Sequence, residues 1–188
     1  MTSPHYFDAL YAAADDPWGL ASRPYEARKY ALSVACLPRP RYRRGFEPGC
    51  SIGILTAQLA GRCDELIAWD GAESAVRQAR ARVTSSHVRI EHARIPSAWP
   101  AGTFDLIVIS ELLYFLDRPD RQAVVTQAIE SLQPSGHLLA VHWRHRFDQA
   151  PGNGDEAHAE LLDQPRLAVQ VEHVEADFLL HVLIRSDS

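Results

Sequence analysis

The sequence predicts an α/β fold built on a doubly wound, mostly parallel sheet that closes in a C-terminal antiparallel hairpin. Three observations carry this. Residues 43–143 alternate short apolar runs with stretches of helical periodicity, the pattern of repeated βα units on a parallel sheet. Two of the runs, Leu106-Ile107-Val108-Ile109 and Leu138-Leu139-Ala140-Val141, show no polar alternation, as strands covered on both faces require. Two later runs, 167–172 and 178–185, lie close enough in sequence to pair antiparallel. Together they describe a single Rossmann-like domain over residues 1–188, with its core at 43–188 behind a helical lid or cap at 1–42.

In the cap, Tyr6, Phe7, Tyr11, Trp18, Tyr25 and Tyr30 mix with charges, and prolines at 17, 24, 38 and 40 punctuate them, which predicts two short helices at 4–14 and 25–37. Core strands are expected at 44–47, 65–69, 88–93, 106–109 and 138–143, with a helix at 52–60 after the first. Val124, Val125, Ala128, Ile129 and Leu132 recur at helical spacing after Pro119, a good first-turn residue, and that helix is expected to stop at Pro134-Ser135-Gly136. A last helix at 155–162, with Asp155 as its candidate cap, leads into the hairpin.

Composition excludes several classes. Lys plus Arg number 19 against 24 Asp plus Glu, a net charge of −5, and the only basic cluster, 39–44, is interrupted by Pro40 and Tyr42, so no nucleic-acid footprint is expected. The cysteines Cys36, Cys50 and Cys63 form no C-x-x-C pair and suit a reducing, cytoplasmic compartment. No apolar stretch approaches the ~18 residues of a membrane span, and the N-terminus lacks a basic segment followed by an apolar run. Nothing in the sequence fixes an oligomeric state.

Phe46-Glu47-Pro48-Gly49-Cys50-Ser51-Ile52-Gly53 puts an acidic residue and two glycines where the first strand turns into the first helix. Glycine there lets backbone and ligand approach closely, although a tight turn with no ligand explains the glycines as well. Asp70 ends the second strand, where a doubly wound sheet offers a carboxylate to the two hydroxyls of a ribose. Glu47 separates the candidate cofactors. A pyrophosphate gains nothing from an anion beside it, whereas the ammonium and sulfonium of S-adenosylmethionine do. The set therefore favours S-adenosyl-L-methionine over NAD, and no distinct hydride-transfer site supports an oxidoreductase.

These motifs resemble the NodS-like nodulation N-methyltransferases, a group within the class I S-adenosylmethionine-dependent methyltransferases. The resemblance runs over nearly the whole chain. It is carried by Asp16-Pro17-Trp18, Tyr25-Glu26 with Lys29-Tyr30, the glycine turn, Trp99-Pro100, Phe104-Asp105-Leu106-Ile107-Val108, Ser110-Glu111, His142-Trp143-Arg144-His145, and Gly154-Asp155-Glu156 with His158. It implies cofactor contacts from Glu47, Gly49, Cys50, Ser51, Gly53 and Asp70, joined by Ser110 and Tyr25. It also implies methyl transfer to an amino nitrogen, with a deacetylated chitooligosaccharide as the family's substrate. Two departures stand out: Ser51 replaces a usual glycine, and no acidic residue stands near Ala93 or Arg94 for the adenine amino group, which leaves adenine to backbone groups.

Glu111 follows the fourth strand and His142 closes the fifth, both at carboxyl ends where open α/β sheets bind ligands. With Asp155 they form the expected catalytic set, His142 taking a proton from an amine of a small molecule or oligosaccharide. Glu111 at the start of a short solvent-facing helix, and His142 as a hydrogen-bonded strand-end histidine, are the structural alternatives. His142 and His145, three apart on a strand, face opposite sides, so no metal site is expected. Trp18, Tyr25 and Tyr30 are expected either to close over a cation or simply to pack. A non-catalytic cofactor-binding module and a small-molecule O-methyltransferase are the alternative functions.

Overall fold

The computed structural model describes residues 4–186, with the side chains of residues 4 and 5 excepted. The chain divides into two compact units, one running to Arg94 and the other starting at Ile95. No helix among the described residues is long and apolar enough to cross a membrane.

The first unit opens with α1 (Pro4–Ala13) and α2 (Pro24–Ala35), close to the expected 4–14 and 25–37. Phe7 and Tyr11, one helical turn apart on α1, pack with Trp18 and Leu20 against Ile52, Ala72 and Ala75. Pro24 sits in the first turn of α2, where a missing N–H costs nothing. Beyond that helix, the Arg62 guanidinium collects carbonyl oxygens from Val34 (2.7 Å), Leu37 (3.2 Å), Pro40 (2.9 Å) and Arg39.

Strands β1 (Tyr42–Pro48), β2 (Cys63–Asp70) and β3 (Val88–His92) are parallel, in the order β3-β2-β1. Phe46 pairs with Ile67, and Ala68 with Ile90. The helix expected at 52–60 is shorter: α3 covers Ile54–Leu59 and a 3-10 turn follows at Ala60–Arg62. It starts late because Gly53, at φ +79°, is left-handed and holds the N-cap position. Helix α4 (Glu73–Arg82) was not singled out by periodicity; its buried face is only Ala75, Val76 and Ala79, too small to stand out among charges.

The second unit holds β4 (Phe104–Ser110), β5 (Leu132–Trp143), β6 (Leu167–Val174) and β7 (Phe178–Arg185), in the order β4-β5-β7-β6. β4 and β5 are parallel; β4 is buried up to Ile109 and β5 from Gly136 to His142, as their unbroken apolar runs require. β6 and β7 form the expected antiparallel hairpin, and β7 lies against β5. The apolar β7 takes the interior position while β6, mostly half-buried or exposed, forms the edge.

Helix α5 (Arg118–Ser131) is capped by Asp117, whose carboxylate accepts from the Asp120 N–H at 3.2 Å. It ends before Pro134-Ser135-Gly136, contrary to expectation, because that tripeptide belongs to β5. The pairing of β4 with β5 jumps from Phe104↔Leu132 to Leu106↔His137, and Ser135 takes φ +58°. The irregularity accommodates a proline that cannot donate to a ladder. Helix α6 (Gly154–Leu162) is capped not by Asp155 but by Asn153, which accepts from the Glu156 N–H at 2.9 Å.

Candidate functional site

In the first unit, the turn after β1 is bound largely to itself. The N–H groups of Gly49 and Cys50 both donate to the Trp69 carbonyl, at 2.7 and 2.9 Å, and Gly53 donates to the Cys50 carbonyl at 3.0 Å. Ser51 donates to Asp70 Oδ2 at 2.8 Å. Gly49 lies at φ +77° and Ser51 at φ +51°, so Ser51 adopts the left-handed backbone that a glycine would take without cost. Its hydroxyl is hydrogen-bonded to the Tyr11 hydroxyl. Gly53 packs against α4 so closely that a Cβ would stand 3.0 Å from Ala79 Cα.

Two carboxyls dominate this end of the unit. Glu47 is buried, and its Oε2 has no hydrogen-bond partner among the described residues. Burial pushes its pKa up to about 8, with the Thr56 hydroxyl opposing the shift and the Asp70 charge adding to it. Asp70 accepts from the Ala72 N–H at 2.8 Å through its other oxygen. Burial raises its pKa too, against the pull of those two N–H groups and of His92 and Arg94. Each Asp70 oxygen retains a lone pair beyond the backbone bond it accepts.

The remaining cofactor candidates divide. Cys50 uses its N–H and carbonyl in the turn, and its side chain packs in a cluster with Ala68, Val76, Ala79, Val83 and Ile90, away from solvent. Tyr25 has the Lys29 ammonium 5.1 Å from its ring centre, and Lys29, itself buried, pairs with Glu26 at 2.9 Å. A cation of the protein therefore already faces that ring. Trp18 packs edge-on against Tyr11 at 5.3 Å. The Ala93 N–H, a backbone candidate for adenine, is spent on the Asp70 carbonyl at 3.1 Å, and Arg94 pairs with Asp8 at 3.3 Å. Tyr11, which meets Ser51, was not among the expected contacts, because no motif sets it apart from the other aromatics of the cap.

In the second unit, Ser110 ends β4 half-buried. Glu111 follows at φ +52°, ahead of the 3-10 turn Leu113–Phe115 and not inside a helix. Its Oε2 accepts from the Tyr114 hydroxyl at 2.6 Å and from the Trp143 N–H at 2.8 Å, which ties the end of β4 to the end of β5.

His142 corrects the expectation of a base that meets the substrate. It is fully buried, and both ring nitrogens are engaged: Nε2 accepts from the Leu113 N–H at 3.2 Å, and Nδ1 lies 3.0 Å from His158 Nε2. His158 Nδ1 is in turn 2.7 Å from His181 Nδ1, and His181 Nε2 lies 3.5 Å from the exposed Glu172 carboxylate. Burial, then the neighbouring His142 and His181, hold His158 well below the usual histidine range. His181 is also lowered by burial, with Glu172 opposing. His181 was missed because an apolar strand hides it.

Asp155 makes no hydrogen bond or ion pair with Glu111 or His142. It forms an ion pair with Arg144 at 2.8 Å, half exposed. No group of three or more His, Cys, Asp or Glu among the described residues is arranged for a metal ion.

Comparison with known proteins places this geometry. The family described as Nodulation protein S (NodS) matches residues 9–177. Nodulation protein S of Rhizobium tropici is 30% identical over 166 residues, covering 87% of this chain and 70% of that protein. A structure from Pseudomonas syringae, provisionally named a methyltransferase, is 46% identical with a TM-score of 0.77, over 87% of this chain and all (100%) of the other. The N-methyltransferase NodS of Bradyrhizobium japonicum WM9, solved with S-adenosyl-l-homocysteine, is 26% identical with a TM-score of 0.87, over 98% and 99% of the two chains. That likeness gives the α/β, Rossmann-like fold, and with the family match over most of the sequence the chain belongs to the NodS family of methyltransferases.

Proposed function

We propose that this methyltransferase uses S-adenosyl-L-methionine to methylate an amino nitrogen of a small amine or amino sugar. The observation that carries the cofactor is Glu47, a buried carboxyl whose Oε2 lacks a partner among the described residues. A buried carboxyl with an open oxygen is costly unless it meets a cation or a donor. The donor set fits S-adenosylmethionine, with Glu47 toward the ammonium and Asp70, whose oxygens still have lone pairs, toward the ribose hydroxyls. Gly49, Ser51 and Gly53 shape the turn between them.

When bound, the cofactor supplies a methyl carbon already activated by its sulfonium, so the protein mainly aligns the partners and excludes water. An amine attacks only through its free lone pair, and its ammonium must lose a proton first. With both His142 nitrogens occupied, the side chain does not collect that proton directly. This favours an amine, which solvent can deprotonate near neutral pH, over an alcohol, which needs a dedicated base. The N-methyltransferase relative supports the same choice.

Mass spectrometry of reactions with S-adenosylmethionine and matched amines, amino sugars and alcohols tests the reading. The expected result is gain of one or more methyl groups on nitrogen alone. Methylation confined to hydroxyl groups, or no transfer to any acceptor while the cofactor binds, overturns it.

A further inference from the structure

The second unit carries an aromatic group that the cofactor does not account for. The rings of Trp143 and Phe147 have centroids 4.8 Å apart at 50°, and Tyr114 lies 5.5 Å from Phe147 at 46°. Phe115 stacks on Phe147 at 5.7 Å and 24°. Tyr114 and Phe115 are buried, whereas Trp143 and Phe147 are only half-buried and keep surface toward solvent. The segment bearing Phe147 is tied back to this group, since the Gly152 N–H donates to the Tyr114 carbonyl at 3.1 Å.

A carboxylate is fixed at its edge. Glu111 is held by the Tyr114 hydroxyl and the Trp143 backbone N–H, which fixes the carboxylate to one ring and to the backbone that carries another. It is held there on a left-handed backbone that a non-glycine residue adopts only at a cost, a strain that clusters at working sites. Arginines near this group pair elsewhere, Arg144 with Asp155, Arg146 with Glu156 and Arg121 with Glu160, and His145 Nε2 lies 2.9 Å from Asp177. Among the described residues no Lys or Arg lies over the ring of Trp143 or Phe147, and the Trp143 indole N–H makes no hydrogen bond. The His145 ring packs on Trp143 with centroids 4.9 Å apart, so the rings offer Phe147 and the part of Trp143 that His145 leaves uncovered beside a negative charge, with no Lys or Arg over either ring among the described residues.

We infer that Trp143, Phe147, Tyr114 and Glu111 form a binding box for an alkylammonium group of the methyl acceptor, in the charged form in which an amine arrives and its methylated product leaves. Aromatic faces attract such cations through the ring quadrupole, and more strongly when water is displaced. The carboxylate supplies the long-range pull. This rests on the reading of the acceptor as an amine, and adds the residues that choose it. The box also favours a nitrogen that becomes positive as it accepts a methyl group, a preference expressed in the transition state and not only on binding.

The test uses choline as probe and its uncharged carbon isostere as control, followed by NMR titration of the Trp143 indole N–H resonance, which Trp143→Phe identifies. Choline is expected to bind and the isostere to bind at least about tenfold more weakly. Phe147→Leu is expected to lose about tenfold in choline affinity, and Phe147→Tyr to retain it. Calorimetry with S-adenosylhomocysteine on the same proteins reads the cofactor separately: failure there counts against the cofactor assignment and leaves the choline result standing. Equal binding of choline and isostere, no binding of either, or full choline affinity in Phe147→Leu overturns the box.

Discussion

The Nδ1 of His142 stands 3.0 Å from the Nε2 of His158 inside the second unit, and the order of donors along this chain of rings follows from its two ends. The Leu113 N–H can only donate, so His142 Nε2 accepts and its Nδ1 carries the proton. His158 then accepts at Nε2 and donates at Nδ1 to His181, whose Nε2–H points to the Glu172 carboxylate. Three neutral imidazoles are stored this way, and protonating any one breaks the sequence. His158 and His181 are held below their unfolded pKa, so the unfolded chain binds more protons than the folded one in acid. Their contribution to stability is present above about pH 6.5 and is lost as pH falls below it, by up to about 1.4 kcal/mol per pH unit for each group. Urea unfolding midpoints at descending pH should fall more steeply in the wild type than in His158→Gln. Equal slopes would mean that the triad is not stored neutral.

Glu47 gives the opposite slope. Its folded pKa, about 8, lies above the ordinary carboxyl value, so the stability tied to its neutral form is present in acid and lost as pH rises toward 8. A cationic ligand favours the ionised form, so cofactor affinity should rise with pH up to about 8 and then level, with proton release on binding near neutrality. Calorimetry in buffers of different ionisation enthalpy measures that release. Glu47→Gln should bind more weakly and without a pH trend.

Asp70→Ala should have two separable effects. Loss of the ribose acceptor is expected to weaken cofactor binding by about tenfold or more. The Ser51 and Ala72 N–H groups also lose their acceptor, which should destabilise the fold by about 1–3 kcal/mol. Thermal melts read the second effect and calorimetry the first; a folded variant with wild-type affinity would remove Asp70 from the site.

Gly53→Ala should destabilise the fold. The residue is left-handed, and the added Cβ would meet the α4 backbone at 3.0 Å. A cost of about 1–3 kcal/mol is expected from strain and overpacking together. The midpoint of chemical unfolding checks it.

Legibility in the sequence followed side-chain size and distance along the chain. β4 and β5 announced themselves through the unbroken apolar runs Leu106-Ile107-Val108-Ile109 and Leu138-Leu139-Ala140-Val141, while α4 stayed hidden behind a face of two alanines and one valine. The glycine turn, Glu47 and Asp70 were readable because they are local motifs at strand ends. The destination of a side chain was not. That His142 turns inward to His158 and His181, and that Asp155 turns outward to Arg144, depends on partners 11 to 23 residues apart in sequence, set by packing. Asp155 also lost the capping role to Asn153, two positions earlier, because either residue chemistry serves a helix start and only the backbone path decides which.

The Arg62 guanidinium has a consequence for the connection between α2 and β1. Carbonyls of Val34, Leu37, Arg39 and Pro40 converge on one planar cation, so this segment is gauged to a fixed length. Inserting or deleting a residue there would strip several acceptors from the hub at once, where an ordinary surface loop would absorb the change. Circular permutation, tag insertion or protease nicking should therefore be tolerated elsewhere on the surface sooner than between residues 34 and 40.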